Sequence, residues 1–250
     1  MSALQTVIIT GASSGIGAEI ARRFSKENYS LLLMGRDEGR LRKVQQNCRP
    51  ASTEILAFDL AKIAHHKNQI LQKLSGLPVP SILINNAGVY FQGTSMETED
   101  HIWMEQLQIN LLSAVQLTKL IWPYFLQNKS GSVLNISSSL GVRPKAHAGA
   151  YSASKAAMIN WTQSLAQEGA DSGIRVNCLC PGIVDTPIHS FHKLPADEKA
   201  QALSKIASFQ LLDFVGETSD IAEAAYFLAS EKSRWTTGSN LIIDGGINLK

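Results

Sequence analysis

Seven short apolar runs, spread along the whole chain with helical stretches between them, constrain its fold more than any other feature. They are TVIIT (6–10), SLLLMG (30–35), TEILAF (53–58), SILIN (81–85), SVLNIS (132–137), RVNCLC (175–180) and NLIID (240–244). Apolar side chains fall at successive positions, as in strands whose sheet is covered by helices on both faces. The intervening segments, such as AEIARRFSKE (18–27) and DIAEAAYFLAS (220–230), are amphipathic with helical spacing. Alternation from end to end predicts an α/β protein, a Rossmann-type doubly wound sheet of seven mainly parallel strands with helices on both faces. No Pro/Gly/Ser-rich linker, repeat or low-complexity tract divides it, so residues 1–250 read as a single domain.

Composition removes several function classes. A net charge of +2, with Lys and Arg scattered, leaves no footprint for nucleic acid or a membrane surface. No apolar stretch approaches the roughly 20 residues that cross a bilayer. QTVIIT begins after four residues, so no signal or transit peptide is expected. Cys48, Cys178 and Cys180 are too few for a disulfide framework, and a cytoplasmic setting is expected. Cys178 and Cys180 alternate along a strand and are expected to point the same way as buried thiols. HSFH (189–192) has no third ligand candidate, and HH (65–66) falls on a surface helix; no metal is expected. Met96, Trp103 and Met104 flank the expected site entrance, where they would line substrate or a subunit contact, with core packing their default role.

TGASSGIG (10–17) follows the first run and opens the first helical stretch. Gly11 permits a tight exit from the strand. Gly15 and Gly17 let a dinucleotide pyrophosphate approach the backbone and the helix N-terminus, whose free N–H groups favour anions. The spacing is G-x3-G-x-G rather than the more familiar G-x-G-x-x-G, and its place between strand and helix is what gives it weight. The second run ends MGRD (34–37), where dinucleotide folds place an acid for the ribose 2′-OH or an arginine for a 2′-phosphate. Gly35 stands at the acid's position and Arg36 follows it. Arg36 is either that phosphate partner or a solvated side chain at a helix start. Asp37 either caps the following helix or approaches the ribose. In YSASK (151–155), Tyr151 and Lys155 stand one helical turn apart. The pair is either an ordinary i,i+4 contact or a phenol tuned by a cation for acid–base work.

TGASSGIG, NNAG (85–88), Asn110 in QINLLS, NISSSLG (135–141), YSASK, PGIVDT (181–186) and TGSNLIIDGG (237–246) occur in one order and at one set of spacings. Together they resemble the short-chain dehydrogenase/reductase family, in its branch of about this length, with most likeness to 3-oxoacyl-[acyl-carrier-protein] reductases. The resemblance spans nearly the whole chain. It implies that Tyr151 is the acid toward a carbonyl or the base toward an alcohol. Lys155 would lower the phenol's pKa and hydrogen-bond the nicotinamide ribose, and Ser138 would hold the substrate oxygen. Asn110 would kink its helix and hold a water that links Lys155 to solvent. Hydride addition to a carbonyl builds charge on its oxygen, which needs donors and then a proton.

The implied cofactor contacts are Gly11, Ser13, Ser14, Gly15, Ile16 and Gly17 along the pyrophosphate and adenosine ribose, with Arg36 beside them. Asp59 would meet the adenine, and Asn86, Ala87 and Gly88 would pack by the adenosine half. Tyr151 and Lys155, with Pro181, Gly182, Ile183 and Thr186, would hold the nicotinamide end. Arg36 matches the NADP-preferring subgroup, so NADP(H) is expected, with NAD(H) the alternative. Ser14 stands where many such members carry a second basic residue.

The implied activity is hydride transfer between nicotinamide and a ketone or secondary alcohol, with a 3-oxoacyl thioester reductase as its narrower form. Lys129 matches one carrier-protein contact of those reductases, whereas Ser172 and Phe214 depart from their basic pattern. A catalytically idle dinucleotide-sensing or scaffold protein on the same fold is the alternative, and it predicts an eroded catalytic set. Besides a small-molecule substrate, the expected partner is a second copy of the chain, as dimer or tetramer, suggested by the apolar helices around 103–126 and 152–168. Residues 187–213, with Ile188, Phe191, Leu194, Leu203 and Phe209 among charged neighbours, read as a substrate lid.

Overall fold

Each apolar run is a strand to within one residue of its expected bounds in a computed structural model that describes residues 4–48, 53–189 and 194–250. The strands are β1 (Gln5–Thr10), β2 (Tyr29–Gly35), β3 (Thr53–Ala57), β4 (Pro80–Asn85), β5 (Gly131–Ile136), β6 (Ile174–Pro181) and β7 (Asn240–Ile243). They form one sheet in the order β3-β2-β1-β4-β5-β6-β7, and every adjacent pair is parallel. Eight α-helices are described: α1 (Gly15–Phe24), α2 (Glu38–Gln46), α3 (Ile63–Ser75), α4 (Asp100–Leu107), α5 (Ser113–Asn128), α6 (Gly149–Gly169), α7 (Ala196–Ala207) and α8 (Thr218–Ala229).

The two-residue period of the strands explains why the runs are continuously apolar. Val7 and Ile9 face one core with Leu31 and Leu33, against Ile20 and Phe24 of α1 and Ile221 of α8. Ile8, Leu32 and Leu83 face the other, against Ile70 of α3, Leu117, Ile121 and Phe125 of α5, and Leu165 of α6. Burying a side chain such as Phe125 contributes about 1.5–3 kcal/mol, so both layers are strongly held. Asp37 caps α2 by accepting from Arg40 N at 2.9 Å, the capping alternative of the two expected for it. Between α4 and α5 the helix runs on through a π-type turn, Gln108–Leu112, with Asn110 at its centre. That is the expected kink, and such widened turns are frequent at functional sites.

The chain builds β1 to β3 outward in one direction and β4 to β7 in the other. The strand order therefore reverses between β1 and β4, where such sheets open a crevice beyond the carboxyl ends of the strands. Between β6 and α8 the chain makes its longest excursion, closed at its base by the bridge Val184↔Gly216. Phe191, one of the expected lid residues, and part of HSFH lie outside the described residues. Cys178 and Cys180 point the same way, both buried, with their sulfurs 3.9 Å apart.

Candidate active site

The reversal point opens into a cavity of about 530 Å3 that runs from the end of β2 to the start of α6. At one end it is walled by Gly11, Ser13, Ser14, Gly15 and Ile16, with Arg36 and Asp59 beyond them; at the other by Ser138, Tyr151 and Lys155. Asn86, Ala87 and Gly88 form its floor, and Pro181, Gly182, Ile183 and Thr186 its opposite wall. Of the expected contact residues, Gly17 and Asn110 are the two that do not line it.

Close packing explains Gly17. A Cβ there would collide with the carbonyl of Gly11 and the amide of Asn86, so the glycine lets α1 sit against the β1 and β4 turns. Gly11 itself has φ +64, and a Cβ would lie 2.9 Å from the Ala87 Cα. Asn86 Nδ2 fastens the two turns, donating to the carbonyls of Thr10 at 2.9 Å and Gly11 at 3.3 Å. Ser14 precedes α1 without capping it, and the first turn carries no acid. The amides at this helix start therefore face the cavity with no side chain competing for them, an arrangement that suits a pyrophosphate. Arg36 is exposed at the rim. Asp37 is held by Arg40, whose backbone N–H donates to its carboxylate at 2.9 Å and whose Nε lies 2.7 Å from it; the backbone bond first and the side-chain bond second keep its acidity stronger than usual. Asp59 caps a short helical turn by accepting from Ala61 N at 3.0 Å.

At the other end, β5 delivers Ser138 and α6 delivers Tyr151 and Lys155. Ser138 Oγ accepts from Leu140 N at 3.1 Å, so its proton remains available to a partner across the cavity. The Tyr151 hydroxyl stands beside it and feels its influence. Burial pushes the Tyr151 phenol up to about 12, against the lowering by Ser138. The lowering expected from Lys155 is thus not what this arrangement displays. Lys155 Nζ donates to the carbonyl of Ile136 at 2.9 Å and lies 5.7 Å from the centre of the Tyr151 ring. Burial brings the lysine down to about 8. At neutral pH the phenol keeps its proton and the lysine is mainly the ammonium, so a proton-bearing hydroxyl and a cation stand side by side at this end of the cavity.

Asn110 is locked in place. Its Oδ1 accepts from Val89 N at 2.8 Å, and its Nδ2 donates to Val89 O and to Ser154 Oγ, each at 3.0 Å. It therefore ties the segment after β4 to α6. A Cβ at Gly88 would stand 3.3 Å from Asn110 Oδ1 and 3.5 Å from Lys155 Nζ, so the two groups flank one glycine.

Several contributors carry no motif. Tyr90 packs edge-on against Tyr151 with ring centres 4.9 Å apart, shielding the phenol from water. Ser154 anchors Asn110, and Lys145, His189, Ile247 and Asn248 line the substrate end of the cavity. Ser154 falls inside YSASK and His189 inside HSFH and the expected lid; the other four lie in no stretch that the sequence singles out. Met96, Trp103 and Met104 do not line the cavity; Met96 and Met104 are exposed. Among the described residues no cluster of His, Cys, Asp or Glu has the makings of a metal site, and no helix is long and apolar enough to cross a membrane.

A family model, short chain dehydrogenase, matches residues 5–195. The chain belongs to the short-chain dehydrogenase family. It is an oxidoreductase of the class acting on CH–OH and C=O groups. Among similar proteins, Dehydrogenase/reductase SDR family member 6 of Rattus norvegicus is 31% identical over 246 residues, covering 98% of each chain. The 3-oxoacyl-[acyl-carrier-protein] reductase of Thermotoga maritima is 29% identical over 245 residues, covering 96% of each. Among solved structures, the actinorhodin polyketide ketoreductase with NADPH superposes with a TM-score of 0.91 at 28% identity, covering 99% of this chain and 98% of that one. The short-chain dehydrogenase fold thus accounts for the parallel sheet and for the position of the cavity at its reversal point.

Proposed function

We propose that this short-chain dehydrogenase reduces a ketone, or oxidises the corresponding secondary alcohol, with NADP(H) and with Tyr151 as the acid or base. The observation that carries the reading is the single cavity with Arg36 at one end and Ser138, Tyr151 and Lys155 at the other. When bound, the nicotinamide cofactor supplies or accepts the hydride. Ser138 and Tyr151 each offer a proton to the substrate oxygen as charge builds there, and Tyr151 then gives its proton up. Lys155, cationic below about pH 8, holds the nicotinamide ribose and restores charge balance around the phenol. Arg36 meets the 2′-phosphate through charge-assisted hydrogen bonds, with Asp37 occupied by Arg40 and unavailable to a ribose hydroxyl. The intact catalytic set argues against an idle scaffold.

A 3-oxoacyl thioester is the narrower substrate reading. Lys129 favours it, whereas Ser172 and Phe214 weigh against a carrier-protein contact, so a general carbonyl compound is the reading adopted. Residues 187–213 act as its lid: of the described residues in α7 only Ala207 is buried, and Lys199 tethers the helix to Asp185 at 2.6 Å. Exposed Met104 and Leu112 on one flank, with Phe227, Trp235 and Ile242 by the edge strand β7, support a homo-oligomer. Following NADPH oxidation across a panel of ketones, with NADH in parallel, tests the function directly. Turnover of at least one ketone with NADPH favoured is the expected result; cofactor binding without turnover of any member would return the idle scaffold.

A further inference from the structure

The last seven residues of the chain touch both sides of the cavity. Asp244 turns them inward, its carboxylate accepting from Gly246 N at 2.9 Å and Asn248 N at 3.2 Å. Ile247 and Asn248 then form part of the wall at the substrate end. On one side, Asn248 Nδ2 donates to the carbonyl of Ser139 at 3.2 Å, and its own carbonyl accepts from Arg143 Nη1 at 2.6 Å. The same Ser139 carbonyl accepts from Val142 N at 3.0 Å and Arg143 N at 2.9 Å, closing the turn that presents Ser138. On the other side, Gly245 O accepts from Leu211 N at 2.9 Å and Leu212 N at 3.0 Å. Lys250 Nζ donates to the carbonyls of Ser208 at 2.5 Å and Gln210 at 3.4 Å.

We infer that Asp244–Lys250 is a strap joining the Ser138 turn to the base of the 187–213 segment, with Asn248 as a positioning residue that sets Ser138 and as a wall that selects the substrate. The inference rests on the oxidoreductase reading for its catalytic part and on geometry alone for its mechanical part. The direction of Ser138 Oγ depends on the Leu140 amide, and that amide belongs to the turn that Asn248 closes from outside. Replacing Asn248 by aspartate keeps its size but removes the donor and sets a carboxylate against a carbonyl. Turn and wall then lose their common reference, although neither the nucleotide end of the cavity nor the core is touched.

Two variants test this: Asn248→Asp, and a chain ending at Ile247. Asn248→Asp is expected to lower kcat for ketone reduction about tenfold, the scale of one hydrogen bond felt in the transition state. NADPH affinity should stay within about twofold, and Asn248→Gln should recover much of the loss because the donor returns. Hydrogen exchange supplies a readout independent of turnover. Val142 and Arg143 amides should exchange faster in Asn248→Asp; in the shortened chain the amides of 208–212 should follow, with those of α6 unchanged. Unchanged exchange at 142–143 in both variants overturns the strap. A kcat loss that parallels falling NADPH affinity or melting temperature overturns the positioning role. If the wild-type protein turns over no carbonyl compound, the oxidoreductase reading fails by itself, and exchange still decides the strap.

Discussion

Two regions face the same cavity and are built in opposite ways. Tyr151, Lys155 and Asn110 sit on helices and Ser138 just past the end of β5; all are buried, and each is held by named partners. The segment after β6 carries α7, of which only Ala207 is buried, and leaves Ile188, Leu194 and Phe209 exposed. On the proposed function, the difference follows from what each region would have to do. Proton donors must stand within fractions of an ångström of a reacting atom, which needs elements that do not move. A surface that admits and releases substrate must open, and only a segment with few buried contacts opens at small cost in free energy.

The sharpest way to break this contrast is in the rigid half. Tyr151→Phe should lower kcat by about 10²–10⁴-fold, the usual range for a positioned acid, with NADPH affinity nearly unchanged. Stopped-flow reduction and a fluorescence titration of the same protein give both values. Retention of more than about a tenth of the activity would remove Tyr151 as the principal acid. Next in size, Arg36→Ala should weaken NADPH about 10- to 100-fold and leave NADH little altered, as expected for charge-assisted bonds worth about 1.5–3 kcal/mol. Equal losses for the two dinucleotides would shift attention to Asp37.

A pH profile tests the pair itself. Lys155 is cationic below about 8 and neutral above, whereas Tyr151 keeps its proton to about 12. For ketone reduction, kcat/KM should therefore fall as pH rises through about 8, approaching about tenfold per unit. No break near 8, with one appearing above 10, would assign the profile to the phenol. The smallest effects belong to the open half. Leu203→Ser with Phe209→Ser should change substrate preference a few-fold and stability by no more than about 0.5 kcal/mol each, because neither side chain is buried. Hydrogen exchange across 196–207 should slow when NADPH and a substrate analogue bind. Equal protection in both states would make this segment a fixed part of the surface.

The chain alone determined the sheet. Seven apolar runs found their strands because a strand covered on both faces must be apolar at every position, a local property of residues such as Val7, Ile8 and Ile9. It also offered the Asp37 cap as one of two alternatives, and the family resemblance implied the irregular turn at Asn110. Only the tertiary structure decided the protonation balance: burial, a sum over distant neighbours, pushes Tyr151 up, and Lys155 is turned toward Ile136. It alone brought Tyr90 onto Tyr151 and Asn248 onto Ser139, pairs separated by 61 and 109 residues in the chain. It also moved Gly17 from the cavity wall to a packing contact with Gly11 and Asn86. Contacts of that kind leave no periodicity in the sequence, since they depend on where the strand order reverses and on what the final turn of the chain closes over.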